Sequence, residues 1–297
     1  KSEKGGIQTS RILWFFSAAY CATKNEEYKK AATNAYEFLR DKLIDEEFKG
    51  VYWMVDYLGN PIDTRKHIYC QSFAIYALSE YYKATKNEEA LNLAMELFEL
   101  IEGVGFNKEN SAYLEEFDRE WNITPNEMLS ENGVIAEITT NTHLHVLEGY
   151  TTLYEITKNE AVREKLKNLI YTFYNKIYDK ENHFLKIFFD GNWNTIIDVK
   201  SYGHDIEASW LIDEAYKVLN LKDEAIEKMI IDIAYNIKSQ IQEDGSLINE
   251  SENGVKDYTR IWWVQVEAMV GYLNAYERTH DEEFLKIVNN LMKYTME

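Results

Sequence analysis

Apolar and polar residues follow one another along this chain in a pattern that occurs five times. A nearly all-apolar run such as QSFAIYALSEYY leads into a short polar turn. A run such as EYKKAATNAYEFLRDKL then follows, with apolar residues every three or four positions. The first run predicts a buried helix and the second an amphipathic outer helix, capped by Asn or Asp and with Glu in its first turn. The expected capping residues are Asn25, Asn87, Asn159, Asp223 and Asp281.

Each occurrence of the pattern is a predicted helical hairpin of about 60 to 70 residues, longer than the repeats of common helical solenoids. Stacked hairpins form an open solenoid or a closed ring of inner and outer helices. The long connections between hairpins contain Gly, Asn and Asp with short alternating apolar runs such as VYWMVDY. They predict small β-hairpins or loops at one end of a ring, where functional sites are common. We therefore expect an all-α fold of the α/α-barrel class, in which one of the usual six hairpins is missing.

Composition agrees with a helical protein and narrows the range of partners. The chain has only 2 Pro and 13 Gly among 297 residues. Its 51 acidic and 32 basic residues give a net charge of -19, which repels nucleic acid and anionic membranes. Most of the 22 Tyr and 7 Trp are expected to pack in the core, and an excess of them near polar residues also suits stacking on sugar rings. We expect no nucleic-acid or membrane partner.

The cysteines and the termini bear on location and completeness. Cys21 and Cys70 are the only cysteines, too few for a disulfide framework or a zinc site, so we expect a cytoplasmic protein. No apolar run is long enough for a membrane span, and no signal peptide is visible. The sequence begins at Lys1 rather than Met. We expect residues 1–297 to be a single catalytic domain, a monomer, that lacks N- and C-terminal segments.

Polar residues stand near the start of several predicted inner helices, which should otherwise be apolar. His204 and Glu207 are three residues apart and share a helix face. In a ring of parallel inner helices such ends meet at one mouth, where a histidine can act as a base and then as an acid near neutral pH. The residues concerned are Arg11, Tyr69, Gln71, Asn141, His145, Glu148, His204, Glu207, Trp262, Trp263, Gln265 and Glu267.

Other chemistries remain open at this point. His143 and His145 are two apart and would face opposite sides of a helix, which makes them a poor metal clamp. Pairs drawn from Glu148, Glu207 and further glutamates, Glu250 and Glu267, could serve glycoside hydrolysis. The sequence has no glycine-rich phosphate loop and no GxSxG motif. A non-catalytic helical-repeat binding protein is a further alternative, which the polar residues at the predicted mouth disfavour.

Several motifs, spread in order from about Gly5 to Tyr276, carry a specific resemblance. They are SRILWFF, KHIYCQSFAIYALSEYY, NTHLHVLEGYTTLYE, SYGHDIEASWLIDEA, SLINE and RIWWVQVEA. With them the chain resembles the N-acylglucosamine 2-epimerase superfamily, most of all its cellobiose 2-epimerase branch. The resemblance implies an (α/α)6 barrel that needs no cofactor or metal. It also implies epimerisation at C2 of the reducing-end sugar of β-1,4-linked disaccharides, through a cis-enediolate. An N-acetylglucosamine 2-epimerase and an aldose–ketose isomerase are alternatives on the same scaffold.

The resemblance also implies roles for individual residues. His204 would transfer the C2 proton with Glu207 as its partner, and His145 would help to open the sugar ring. Arg11 and Asn141 would polarise the oxygens on C1 and C2, Tyr69 would hydrogen-bond the reacting sugar, and Trp262 or Trp263 would stack on a ring.

One feature of the family is not found in this sequence. The resemblance implies a second proton-transfer histidine near the C terminus, in a segment similar to Trp-Lys-Cys-Pro-Tyr-His. His280 is not a substitute, because it lies in a turn of the repeat. Without that segment we expect little epimerase activity, and with it an intact enzyme.

Overall fold

A computed structural model describes residues 2–127 and 134–296, and this part of the chain contains ten α-helices joined in consecutive pairs. The five predicted hairpins are thereby confirmed. The helices are α1 (Gly6–Thr23), α2 (Glu26–Phe38), α3 (Ile68–Thr85), α4 (Glu88–Leu100), α5 (Thr140–Thr157), α6 (Glu160–Thr172), α7 (Tyr202–Val218), α8 (Glu224–Lys238), α9 (Trp262–Thr279) and α10 (Glu282–Met296).

The turns inside the hairpins form as the sequence predicts. Asn25 Oδ1 accepts a hydrogen bond from the backbone N–H of Glu27 at 3.0 Å, and Asp223 Oδ1 accepts one from Ala225 at 3.0 Å. Such caps satisfy backbone donors that the helix itself leaves unpaired. The side chains of Asn87, Asn159 and Asp281 accept equivalent bonds at the starts of α4, α6 and α10.

The predicted β-structure in the long connections is confirmed as short strands, most of them two residues long. Three antiparallel sheets of three strands have the orders β1-β2-β3, β4-β7-β8 and β13-β14-β15. The strands are β1 (Lys4–Gly5), β2 (Met54–Val55), β3 (Pro61–Asp63), β4 (Lys66–His67), β5 (Phe106–Asn107), β6 (Ala112–Tyr113), β7 (Glu116–Phe117), β8 (Ile123–Thr124), β9 (Ile138–Thr139), β10 (Tyr178–Asp179), β11 (Phe184–Leu185), β12 (Phe188–Phe189), β13 (Val199–Ser201), β14 (Glu250–Glu252) and β15 (Val255–Asp257).

The chain divides into two compact units. Unit 1 comprises residues 1–138 and 145–166, and unit 2 comprises residues 139–144 and 167–297. In unit 1, α3 packs on α1 and α4, and in unit 2, α7 packs on α8 and α9. Both α3 and α7 are buried along most of their length, as predicted for inner helices.

Two predicted inner helices are less buried than the sequence pattern indicates. On α1, Ile12 and Phe15 are 43% and 56% exposed. On α9, Val266 and Leu273 are exposed as well. The prediction of complete burial is wrong for these two helices, because the helices of their own unit cover only part of their surface in the described residues. None of the helices described is long and apolar enough to cross a membrane.

Candidate active site

In unit 1, three of the predicted site residues gather around the ring of Phe73. The guanidinium of Arg11 lies 4.4 Å from the centre of that ring. The imidazole of His145 lies 4.6 Å from it, and the Tyr69 ring meets the His145 ring edge-on at 4.9 Å. Arg11 and Trp53 also line an open cavity of about 810 Å³ along α1. The fold of unit 1 thus brings Arg11, Tyr69 and His145 together, although they are far apart in the sequence.

His145 forms a close pair with Glu148 one helical turn away. Nδ1 of His145 lies 2.8 Å from the Glu148 carboxylate, and both side chains are buried. An ionised carboxylate can only accept, so Nδ1 of the ring carries the hydrogen, and in the neutral form of the ring the lone pair is on Nε2. The pair therefore presents an oriented imidazole in which the tautomer is fixed.

His67, which the sequence analysis did not select, supports the position of Tyr69. It precedes α3, and its Nδ1 accepts the backbone N–H of Tyr69 at 3.2 Å. Burial lowers the pKa of His67 to about 4, so the ring is neutral and Nε2 donates to Asn126 Oδ1 at 3.2 Å. His67 is a structural cap rather than a proton carrier, and only its place at the helix start could have indicated this.

In unit 2, His204 is half-buried at the start of α7. Its Nδ1 lies 2.8 Å from the hydroxyl of Ser201, and its ring lies 5.0 Å from the ring of Trp263 at an angle of 52°. Gly203 makes this contact possible, since a Cβ there would lie 2.5 Å from the Trp263 ring. A titratable imidazole thus stands beside an aromatic face that could receive a sugar.

Two further predicted site residues lie in unit 2. Glu207 is 7% exposed and follows His204 on α7. The oxygen next to Nδ1 of His204 belongs to Ser201, so the predicted role of Glu207 as the partner of His204 stays a prediction. Asn141 has a buried Oδ1 with no hydrogen-bond partner among the described residues, which suits a donor such as a sugar hydroxyl.

The two neighbouring tryptophans differ in their surroundings. Trp263 is half-buried against His204, whereas Trp262 is 74% exposed. The geometry therefore favours Trp263 as the stacking residue. Behind it on α9, Glu267 accepts a hydrogen bond from the Trp210 indole at 3.0 Å.

Two polar residues that the sequence analysis predicted at the mouth of the ring form hydrogen bonds to backbone groups instead. The side-chain amide of Gln71 bonds to both the N–H and the C=O of Val51, at 2.6 and 3.0 Å. Gln265 bonds to Leu247 in the same way, at 2.8 Å for both contacts. Both amides are fully used in anchoring connections, so their interpretation as site residues was wrong.

His143, the other member of the HxH sequence, is a buried neutral residue. Burial lowers its pKa to about 4. Its Nδ1 donates to the carbonyl of Thr139 at 2.8 Å, and its ring lies 5.2 Å from Trp193. In the described residues no group of three or more His, Cys, Asp or Glu side chains could hold a metal ion.

Comparisons with known proteins agree with the fold. The sequence profile of the N-acylglucosamine 2-epimerase (GlcNAc 2-epimerase) family matches residues 1–297. A cellobiose 2-epimerase of Dictyoglomus turgidum is 47% identical over 98% of this chain and 75% of its own length, and one of Ruminococcus albus is 45% identical over 100% and 77%. The solved structure of cellobiose 2-epimerase from Bacillus thermoamylovorans is 58% identical, with a TM-score of 0.97 over 99% of this chain and 76% of that chain.

The chain belongs to the N-acylglucosamine 2-epimerase family. It is an enzyme of the carbohydrate epimerase and isomerase class, and its fold is the all-α, α/α-barrel type of its structural relatives. The predicted resemblance and the predicted fold class are confirmed.

Proposed function

We propose that this enzyme epimerises C2 of the reducing-end sugar of cellobiose or a related β-1,4-linked disaccharide. The observation that carries the proposal is the placement of His204 against the Trp263 ring. A base beside a sugar-stacking face is what proton removal from a sugar carbon requires. The name cellobiose 2-epimerase, carried by relatives that are 47% and 45% identical over 98% and 100% of this chain, supports the same substrate class.

The proposed reaction begins with opening of the reducing-end ring. The C1–O5 bond breaks, the proton of the C1 hydroxyl is lost to a base, and O5 gains a proton. His145, oriented by Glu148 at 2.8 Å, would exchange these protons. Tyr69, whose ring lies 4.9 Å from His145, would hydrogen-bond the sugar.

Proton removal from C2 follows in the open-chain aldose. The C2–H bond breaks, its electron pair forms the C1–C2 double bond, and the C1 carbonyl pair moves onto O1. The proton passes to Nε2 of His204, and Glu207 assists that residue. Arg11 and Asn141 would stabilise the enediolate oxygens, since donors aimed at developing charge lower the barrier most.

A proton returned to the opposite face of C2 gives the mannose-type epimer. This step needs a second acid, for which the family resemblance implies a further histidine. The substrate and the product are isomers at the same oxidation level, so the reaction needs no redox cofactor.

The test is proton NMR of cellobiose in D2O with the protein, followed at C2 of the reducing end. We expect deuterium at C2 together with a mannose-type anomeric signal, while the glycosidic bond stays intact. His204→Gln should reduce exchange by about 10²-fold to 10⁴-fold, the usual contribution of general acid–base catalysis. Release of glucose would indicate a glycosidase, and a ketose product would indicate an aldose–ketose isomerase. Either result would overturn the proposal.

We also propose that both units belong to one catalytic domain and that the enzyme is a cytoplasmic monomer. The family match across residues 1–297 supports the first point, and the two free cysteines are compatible with a reducing compartment. Sedimentation velocity would test the monomer, and a dimer at micromolar concentration would contradict it.

A further inference from the structure

Ser201 occupies the N-cap position of α7 but does not cap the helix. Serine at this position commonly bonds a backbone N–H of the first turn, yet the Ser201 side chain makes no such bond. Its hydroxyl lies 2.8 Å from Nδ1 of His204 instead. At seven other helix starts in the described residues the side chain just before the helix accepts a backbone N–H of the first turn, so this serine departs from the pattern.

The backbone around Ser201 is held firmly. Ser201 pairs with Glu250 in the β13–β14 ladder, and the N–H of Tyr202 donates to the carbonyl of Asn249 at 3.2 Å. The side chain of Ser201 is only 5% exposed. A hydroxyl on such a fixed strand end can hold an imidazole in one orientation.

The direction of this hydrogen bond decides which nitrogen of His204 is basic, since a hydroxyl can donate or accept. When Ser201 Oγ accepts from Nδ1–H, Nε2 carries the lone pair and can take a proton from carbon. When Nε2 then becomes protonated, Nδ1 keeps its hydrogen and the same bond persists. The hydroxyl can therefore accept from Nδ1–H in both the neutral and the protonated form of the ring, and a base in a reversible epimerisation must adopt both forms.

We propose that Ser201 is a positioning residue for His204, which fixes the tautomer and the orientation of the ring so that Nε2 exchanges the C2 proton. The proposal rests on the proposed epimerase function. It is distinct from the role of Glu207, because Ser201 lies on strand β13 and acts on Nδ1.

The experiment compares Ser201→Ala and Ser201→Thr with a matched control, Ser209→Ala. Ser209 lies on the same helix as His204, is 1% exposed, and its hydroxyl donates to the carbonyl of Ile230 at 3.1 Å. Ser209→Ala therefore loses a buried serine hydrogen bond without contact to His204. Each variant is assayed for deuterium exchange at C2 of cellobiose across pH, and thermal unfolding is measured alongside.

We expect Ser201→Ala to lower kcat for exchange about tenfold or more with little change in KM, since a mis-oriented base slows the chemical step. The acidic limb of its pH–rate profile should move to lower pH, because the imidazolium has lost an acceptor. Ser201→Thr should retain most of the activity per folded molecule. Equal kcat and equal pH profiles for Ser201→Ala and Ser209→Ala would overturn the proposal.

A second readout does not depend on activity. Side-chain ¹⁵N NMR of histidine-labelled protein reports the tautomer of each ring, and His204→Gln identifies the His204 signal. Ser201→Ala should change the ¹⁵N shifts of His204 towards a mixture of tautomers, and Ser209→Ala should leave them unchanged. If the wild-type protein shows no exchange, the proposed function fails, and this measurement alone decides whether Ser201 fixes the ring. Unaltered ¹⁵N shifts of His204 in Ser201→Ala would refute the positioning role of Ser201.

Discussion

Two histidines with the same local sequence spacing have different groups at Nδ1. His145 and Glu148, like His204 and Glu207, are separated by three residues on a helix, and the first pair bonds at 2.8 Å. For His204 the oxygen at Nδ1 comes from Ser201, three residues earlier. The spacing indicates only which side chains share a face, whereas neighbouring strands and rings decide which rotamer each imidazole adopts.

A glycine beside His204 provides a test at the scale of one residue. A Cβ at Gly203 would lie 2.5 Å from the ring of Trp263 and 2.8 Å from Val264. We expect Gly203→Ala to displace Trp263 from His204 and to cost about 1–3 kcal/mol of unfolding free energy, as overpacking does. Activity should fall on the order of 10-fold to 100-fold, because small displacements at a reacting centre are costly. Kinetics measures the loss of activity, and tryptophan fluorescence reports both the displacement of Trp263 and the unfolding transition.

The matched control is Gly103→Ala. A Cβ at Gly103 meets nothing within 4 Å, and the residue lies in a helical turn, so alanine should leave activity unchanged. If Gly203→Ala matched this control in kinetics and fluorescence, the contact between Trp263 and His204 would be irrelevant to catalysis.

At the scale of elements, inner helices are tied to their preceding connections by one side chain near the helix start. Gln71 and Gln265 each supply an acceptor and a donor to a single backbone residue. Asp205 takes a comparable place on α7, where its Oδ1 accepts the N–H of Leu185 at 2.8 Å. Its Oδ2 is buried and has no partner among the described residues. A protonated Oδ2 would supply the donor that the two glutamines have in their amide nitrogens.

This arrangement predicts a pH dependence of stability. Burial raises the pKa of Asp205 to about 8, against an ordinary value of 3.8. The folded state therefore binds this proton more tightly than the unfolded chain, and stability falls as pH rises from about 4 to about 8. The contribution is at most about 1.4 kcal/mol per pH unit. Asp205→Asn, which carries a permanent N–H donor, should remove this pH dependence and raise the unfolding midpoint in urea at pH 8.

A second buried aspartate on α7, Asp213, serves as a control because its pKa is shifted in the opposite direction. The Asp213 carboxylate lies 2.6 Å from the Arg278 guanidinium and 2.9 Å from the Lys217 ammonium. Burial by itself would raise the pKa of Asp213, but the hydrogen bonds to these two cations outweigh it and lower the pKa. Asp213→Asn should therefore destabilise the protein at pH 8, where Asp205→Asn stabilises it. Destabilisation by both variants at pH 8 would show that Asp205 is ionised in the folded protein.

At the scale of the whole molecule, the charge of -19 is the dominant electrostatic property. Acidic residues are placed where helices tolerate them best, in the first turns of outer helices such as α2, α4 and α10. The remaining repulsion opposes the compact state and is screened by salt.

We therefore expect NaCl between 10 and 300 mM to raise Tm by a few degrees, since 1 kcal/mol corresponds to about 2–4 °C in domains of 150–250 residues. Differential scanning calorimetry at pH 7 measures the shift. Choline chloride at equal ionic strength should give a similar rise if screening is the cause. A fall in Tm with either salt would contradict the prediction.

The sequence by itself determined the features that depend on residues a few positions apart. Periodicity gave the five hairpins, and the polar turns gave the caps at Asn25 and Asp223, because both arise from contacts within about one helical turn. The ordered motifs gave the family, which the comparisons confirm.

Only the tertiary structure decided what each polar side chain touches. It placed Arg11 and His145 on Phe73, turned Gln71 and Gln265 to backbone, and set Ser201 against His204. It also left parts of α1 and α9 exposed. The physical reason is that such contacts join residues from different elements, often tens of positions apart, and depend on how helices and strands pack rather than on local propensity.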